Sequence, residues 1–359
     1  MKILSAPLKV SLEITNMCNL SCIHCNVAGT KNMPGDLTAS EWKNLIDELA
    51  GLKVFNLIIS GGEPFMRPDI FELIEHIFKH HFRVRINTNG TLIDRNTARL
   101  LKQYDRIENI QVSLDGSSPE IHEKIRSKDS YKRTIAGIRD LISEDLPVTT
   151  YTVINRINLG DIENIIRLGK DLRIAQATFT DLLPVGHACK TLGTMEIDQG
   201  ERRELSEQFT RLQNKYGNFI GGPMVKTESF FSGFADHKPS PEDNGSDGTF
   251  SSCAGCFEEC CVRPDGWVVP CSRMWEYKTG NVRNKRFRDI WHNSEKTKEF
   301  RARRKVKVND VDECRSCEYI PLCRGGCPAV PFEYGRGITG WDPTSCYKVY
   351  TGEKESYIK

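Results

Sequence analysis

The chain has 359 residues, with 50 Lys and Arg against 48 Asp and Glu and a formal net charge of +2. That balance gives no global field for nucleic acid or an anionic membrane. A mean hydropathy of −0.45, no apolar run of about 18 residues and no charged-then-apolar leader predict a soluble cytoplasmic protein without a membrane span or signal peptide.

Lys9 to Thr15 alternates strictly, with Val10, Leu12 and Ile14 on one face and Ser11 and Glu13 on the other, so it predicts a first strand. The strand begins within the first ten or so residues, which leaves no room for a separate leading domain. Cys18, Cys22 and Cys25 follow at C-x3-C-x2-C spacing. A closed structural zinc site wants four ligands, commonly as two pairs, whereas three thiols with no local fourth suit an iron–sulfur cube with one open iron. Fourteen cysteines in a leaderless chain favour metal or redox chemistry over disulfides.

Thr38-Ala39-Ser40-Glu41 is a capping box, and Trp42, Leu45, Ile46 and Leu49 behind it predict an amphipathic helix. Val54 to Ser60 reads as a strand ending at Gly61-Gly62-Glu63-Pro64. Asp69 is placed to cap a helix carrying Ile70, Leu73, Ile74 and Ile77. Phe82 to Thr88 is a third strand, Asp94 opens a third helix, and Asn109 to Asp115 is a fourth strand. A helix over Tyr131 to Ser143, a strand over Val148 to Ile154, a helix over Asp161 to Lys170 and a strand over Ile174 to Asp181 complete the series.

Six strands alternating with helices imply a parallel sheet. A parallel sheet covered on both faces reads apolar throughout, yet Glu13, Gln111, Ser113 and Asp115 share one face here. They predict a curved sheet whose concave side lines a wet cavity, with the chemistry at the C-terminal strand ends. Asp198 to Tyr216 is a charged helix. Lys238 to Gly248 has the composition of a linker or mobile loop.

Ten cysteines crowd Cys253 to Cys346. Gly266 to Cys271 is a G-x4-C element, and Cys314, Cys317, Cys323 and Cys327 follow as C-x2-C-x5-C-x3-C before a separate Cys346. Taken alone, Cys314 to Cys317 also reads as half a zinc ribbon, and the glycine pair as an ordinary strand-to-helix turn.

In combination, C-x3-C-x2-C after the first strand and Gly61-Gly62-Glu63-Pro64 after the second resemble the radical S-adenosylmethionine (SAM) enzymes. The second cysteine field resembles the SPASM extension of that family, as in the mycofactocin and pyrroloquinoline-quinone maturases. The resemblance implies a partial (β/α)6 TIM-like barrel over residues 1–217, a linker over 218–250 and a cysteine-rich SPASM domain over 251–359. It implies SAM and three 4Fe–4S clusters. Cys18, Cys22 and Cys25 would hold the SAM-binding cluster, and Cys314, Cys317, Cys323 and Cys346 one auxiliary cluster. Cys271 and Cys327 would join the other, with two of Cys253, Cys256, Cys260 and Cys261; the family's spacing selects Cys253 and Cys260. His24, Gly61, Gly62, Glu63, Asn89, Ser113, Asp115, Arg126 and Leu183 would surround SAM. Arg126 would pair with its carboxylate or stand solvated at the surface, and Asn89 and Asp115 would contact SAM or merely cap helices. Cys189 is either a buried apolar filler or a hydrogen-atom donor.

The implied reaction is reductive cleavage of SAM followed by hydrogen abstraction from a substrate. The expected substrate is a ribosomally made precursor peptide, brought by a separate small carrier protein, with flavodoxin or ferredoxin as electron donor. The alternatives are a small-molecule dehydrogenase, epimerase or decarboxylase acting on a sugar, cyclitol or tetrapyrrole, and a non-catalytic iron–sulfur carrier. A carrier has no use for the glycine-pair motif. Fold alone does not choose a substrate.

Overall fold

A computed structural model describes residues 3–26, 35–222 and 248–358. The linker segment Lys238 to Asp247 therefore lies outside the described residues.

Strands β1 (Lys9–Glu13), β2 (Asn56–Ser60), β3 (Arg83–Thr88), β4 (Ile107–Ser113), β5 (Val148–Ile154) and β6 (Gln176–Asp181) lie side by side in chain order and pair in parallel. Helices α1 (Ala39–Gly51), α2 (Ile70–Phe78), α3 (Arg95–Lys102), α4 (Pro119–Ile125), α5 (Tyr131–Ser143) and α6 (Ile162–Asp171) lie between them. The α1 start follows the sequence expectation. The Thr38 hydroxyl accepts from Glu41 N at 3.2 Å, and the Glu41 carboxylate accepts from Thr38 N at 2.8 Å. Its stripe of Trp42, Leu45, Ile46 and Leu49 is buried in the main core. Asp94 likewise caps α3 through Thr97 N at 2.7 Å. Asp69 does not cap α2. Its carboxylate instead holds the Arg67 guanidinium at 2.5 and 2.9 Å, and Arg67 reaches on to the Ile14 carbonyl at 2.7 Å. A charged fork two residues away outcompetes a backbone N–H.

Beyond β6 come the short α7 (Leu192–Met195) and the long α8 (Gln199–Tyr216), which Asp198 and Glu201 open with a second capping box. A two-residue β7 (Ile220–Gly221) then pairs in parallel with β6. The C-terminal region adds three strands that the sequence did not predict. Strand β8 (Glu259–Val262) pairs in parallel with β1, and β9 (Trp267–Val269) and β10 (Gly280–Asn281) follow antiparallel. The result is one open sheet of ten strands, with β10 and β7 at its edges. This is the partial α/β barrel expected from the sequence, widened on its β1 side. Phe287, Ile290 and Trp291 of the helix Phe287–Asn293 join the same core as Val10, Leu12 and Trp42. Burial of these side chains contributes on the order of 2 kcal/mol each, so the cysteine-rich half is bound to the barrel by apolar packing as well as by strand pairing.

Candidate active site

The loop carrying Cys18, Cys22 and Cys25 leaves the C-terminal end of β1, and neighbours on several sides hold it. Asp36 braces its start, accepting from Thr15 Oγ1 at 2.9 Å, Asn16 N at 3.1 Å and Asn16 Nδ2 at 2.9 Å. Asn19 bonds Thr91 and Asn89, Ser21 N bonds Ser127, and Ile23 N bonds the Ile125 carbonyl. The glycine pair is required by this same loop. Gly61 has φ +142°, and a Cβ there would stand 2.6 Å from the Thr15 carbonyl oxygen; one on Gly62 would stand 2.2 Å from that of Met17. Only glycine lets the β2 turn close on the chain entering the cysteine loop. On the far side Gly186, with φ +62°, backs onto Asn26, and His187 N bonds the Cys25 carbonyl at 3.2 Å.

Cys18, Cys22 and Cys25 open together on a cavity of about 560 Å³ at the C-terminal strand ends. Gly61, Gly62, Asn89, Ser113, His24, Arg126 and Leu183 also line it, as does Gln111. Burial pushes the Cys22 thiol up to about 12, with Arg126 pulling the other way and the neighbouring thiols adding to the rise. Mutually destabilised thiolates of this kind are relieved by a bound metal centre.

Several predicted residues stand behind the wall rather than on it. Glu63 is fully buried, and its carboxylate accepts from Asn89 N and Thr88 Oγ1, both at 2.7 Å. Burial raises it to about 7 against those hydrogen bonds. Glu63 therefore holds the end of β3 in place. Asp115 is also fully buried, accepting from Arg126 Nε at 2.6 Å and Val153 N at 2.8 Å. Burial opposes its ionisation, but Arg126 and the nearby histidines overcome this and hold it below the usual carboxylate range. Arg126 is thus neither solvated nor free: Asp115 aims it along the cavity wall, with Nη1 3.9 Å from Cys22 Sγ. Burial lowers His24 to about 4, so it is neutral at pH 7, and its Nδ1 is buried without a hydrogen-bond partner. Glu13 does not line the cavity; it is buried against Ser11 and Cys261. Cys189 is also outside the lining, with Sγ 3.8 Å from Glu333 Oε1.

Asn87, in the polar end of the third strand, lines the cavity too, and so do Tyr151, Asp181 and Arg273, which the sequence did not single out. Asn87 Oδ1 is buried and unpartnered in the wall. Strand alternation makes Asn87 and Tyr151 legible, since the parallel register places them on the same face as Gln111 and Ser113, whereas Asp181, the last residue of β6, pairs with Ile154 on the other parity. No sequence periodicity reveals Arg273, which arrives from the cysteine-rich half.

The second cysteine field forms two groups. Cys314, Cys317, Cys323 and Cys346 line one small cavity together. Burial takes Cys314 to about 12 and Cys323 to about 11, and other thiols of the set add to both. Cys253, Cys271 and Cys327 pack in a second cluster, and the fourth thiol there is Cys256, not the expected Cys260. Cys260 sits on β8 opposite Val10, and it is buried in the main core with that residue and Trp42. Cys256 comes before the strand, with φ +59°, and so turns its thiol out of the alternation.

A family model described as the Radical SAM superfamily matches residues 12–169, and one for SPASM, an iron–sulfur cluster-binding domain, matches 247–318. An AdoMet-dependent heme synthase of Methanosarcina barkeri is 30% identical, over 89% of this chain and 91% of that protein. A mycofactocin maturase of Mycobacterium tuberculosis is also 30% identical, over 95% and 83%. Among solved structures, Streptococcus suis SuiB bound to the precursor peptide SuiA superposes with a TM-score of 0.76 at 18% identity, over 96% of this chain and 76% of that one. The structure of anSMEcpe with bound AdoMet gives 0.72 at 20% identity, over 96% of each. The motif order, the cavity where the motifs meet and these likenesses agree: the chain belongs to the radical SAM superfamily and carries a C-terminal SPASM iron–sulfur domain.

Proposed function

We propose that this enzyme cleaves SAM reductively and takes a hydrogen atom from a ribosomally made precursor peptide, as a step in its oxidation, crosslinking or decarboxylation. The carrying observation is the single cavity shared by three cysteines, the glycine pair and the polar strand ends. Its volume is within the range of cofactor sites. The donor set fits the cofactor: three thiols from one loop, with no fourth thiol among the described lining residues, leave one iron for SAM. When bound, the cluster supplies the electron that releases the 5′-deoxyadenosyl radical.

The chain's own residues hold and shield. Cys18, Cys22 and Cys25 anchor the cluster. Arg126, aimed by Asp115, offers its guanidinium to the SAM carboxylate, while His24, Asn89, Ser113 and Leu183 surround the rest. Glu63 acts from behind by fixing the Asn89 backbone. Cys253, Cys256, Cys271 and Cys327 hold one auxiliary 4Fe–4S cluster, and Cys314, Cys317, Cys323 and Cys346 the other, three in all. A flavodoxin or ferredoxin supplies electrons, and a separate small carrier presents the peptide. The likeness to SuiB and to the mycofactocin maturase supports the peptide reading. The likeness to a heme synthase over most of its length supports a second, in which the substrate is a tetrapyrrole.

Anaerobically reconstituted, reduced protein given SAM releases 5′-deoxyadenosine, followed by mass spectrometry. A cognate precursor peptide raises that release and changes its own mass, whereas an iron tetrapyrrole does so under the second reading. Iron-loaded protein that never releases 5′-deoxyadenosine sinks both.

A further inference from the structure

A group of metal-capable side chains lies away from the cavity, on the outer helices of the barrel. Helices α1 and α2 pack side by side, and a polar stripe of each faces the other along their surface seam. Lys43 on α1 pairs with Glu72 on α2. One turn further along both helices, Asp47 Oδ1 lies 2.7 Å from His76 Nε2 and 2.7 Å from His80 Nε2. The two histidines are four positions apart, and the last helical turn, in which the Lys79 and His80 amides bond the His76 and Ile77 carbonyls, sets them on one face. The three ligand atoms lie within 4.8 Å of one another. A single carboxylate is neutralised by one imidazolium, so the second imidazole is more than an ion pair needs. What burial Asp47 has opposes its ionisation, but His80 and His76 overcome this and hold the carboxyl below its usual range. The rings are 17% and 27% exposed and the carboxylate 52%. The imidazoles are thus held against the helices while the carboxylate side stays open to water.

Two imidazole nitrogens and a carboxylate oxygen suit a borderline divalent metal such as zinc, with water as the fourth ligand. Magnesium and calcium, which prefer oxygen donors, fit it poorly. We propose that Asp47, His76 and His80 form a zinc-type metal site that clips α1 to α2. On binding, the Nε2 protons leave to solvent and the metal takes their place beside Oδ1. The site lies past the end of α2, just before β3 begins at Arg83. That is the opposite end of the barrel from the Cys18 loop, so its ion is separate from the cysteine centres and takes no part in the chemistry of the cavity.

The test uses untagged protein with its clusters reconstituted, so that the cysteines already hold iron. Titrated with micromolar zinc chloride and desalted, the wild type keeps about one zinc per chain. X-ray absorption at the zinc edge shows nitrogen and oxygen neighbours at about 2.0–2.1 Å and no sulfur shell at about 2.3 Å. Excess magnesium does not displace the ion. H76A and H80A each weaken zinc binding by at least roughly tenfold. Zinc raises the melting temperature of the wild type and leaves that of H80A where it was. A wild type that keeps no zinc overturns the proposal, and so does one that yields its zinc to magnesium or shows a sulfur shell, even if neither variant folds. H76A and H80A proteins that bind zinc like the wild type overturn it as well, and a wild-type melting temperature that zinc leaves unmoved overturns the clip.

Discussion

Cys256 and Cys260 show how far spacing can carry a ligand assignment. Counting residues back from Gly266 admits either one. The structure separates them through backbone geometry: Cys260 is inside a strand and takes its side-chain direction from the pleat, toward Val10 and the helices. Cys256 precedes that strand in a left-handed conformation, uncommon for a residue with a Cβ and usually retained where a side chain has to be aimed. Cys256→Ser is therefore expected to lower iron by about a third relative to wild type, if each of three cubes holds four irons. Cys260→Ser should leave iron unchanged and cost only stability, on the order of 1 kcal/mol for a polar group in the apolar core. Iron assay and electron paramagnetic resonance of the reduced proteins decide. Loss of one cluster signal in Cys260→Ser, with full loading of Cys256→Ser, would restore the spacing-based assignment.

At the scale of elements, the barrel was legible because its segments are long and periodic. Tyr131–Ser143 and Val148–Ile154 fall where the pattern puts them, and the capping box at Thr38 and Glu41 marks the start of α1. The strands β7 to β10 were not legible. They are two to four residues long, too short to show a period, and β8 finds β1 from more than two hundred positions away. Helix α1 joins the two halves. Glu48 accepts from the backbone N–H groups of Phe287 at 3.0 Å and Arg288 at 3.1 Å, capping the helix Phe287–Asn293 from outside. Arg283 grips Glu41 at 2.6 Å and the Gly35 carbonyl at 2.9 Å. Glu48→Ala should cost about 1 kcal/mol, as for loss of an N-cap, and speed hydrogen exchange at the amides of residues 287 and 288. Unchanged exchange there would mean that apolar packing alone docks this helix.

At the scale of the whole molecule, the site was legible in its cysteines, its glycines and much of its barrel wall, but not where the cysteine-rich half contributes Arg273 to the lining. Glu13 stands where those halves meet, on β1 beside β8. The sequence put it on the wet concave face. In the structure β8 covers that end of the sheet, leaving Glu13 3% exposed with Cys261 3.9 Å away. Burial raises its carboxyl from 4.5 to about 7, and the hydrogen bonds from Ser11, Ser60 and Cys261 only partly offset the rise. A carboxyl whose folded pKa lies above its unfolded one binds more protons folded than unfolded between the two values. Stability therefore falls as pH rises from about 4.5 to about 7 and levels off above that range. Below it, Glu13 is neutral in both states and costs nothing in charge. Glu13→Gln keeps the shape and most of the hydrogen bonding without the ionisation. The variant should gain on the order of 3 kcal/mol over wild type at pH 8 and little at pH 5, with the gain appearing across the interval between. Chemical denaturation of both proteins at several pH values measures it. A gain independent of pH would show that Glu13 is not the titrating group, and a loss at pH 8 that its charged form is what the junction of the two halves requires.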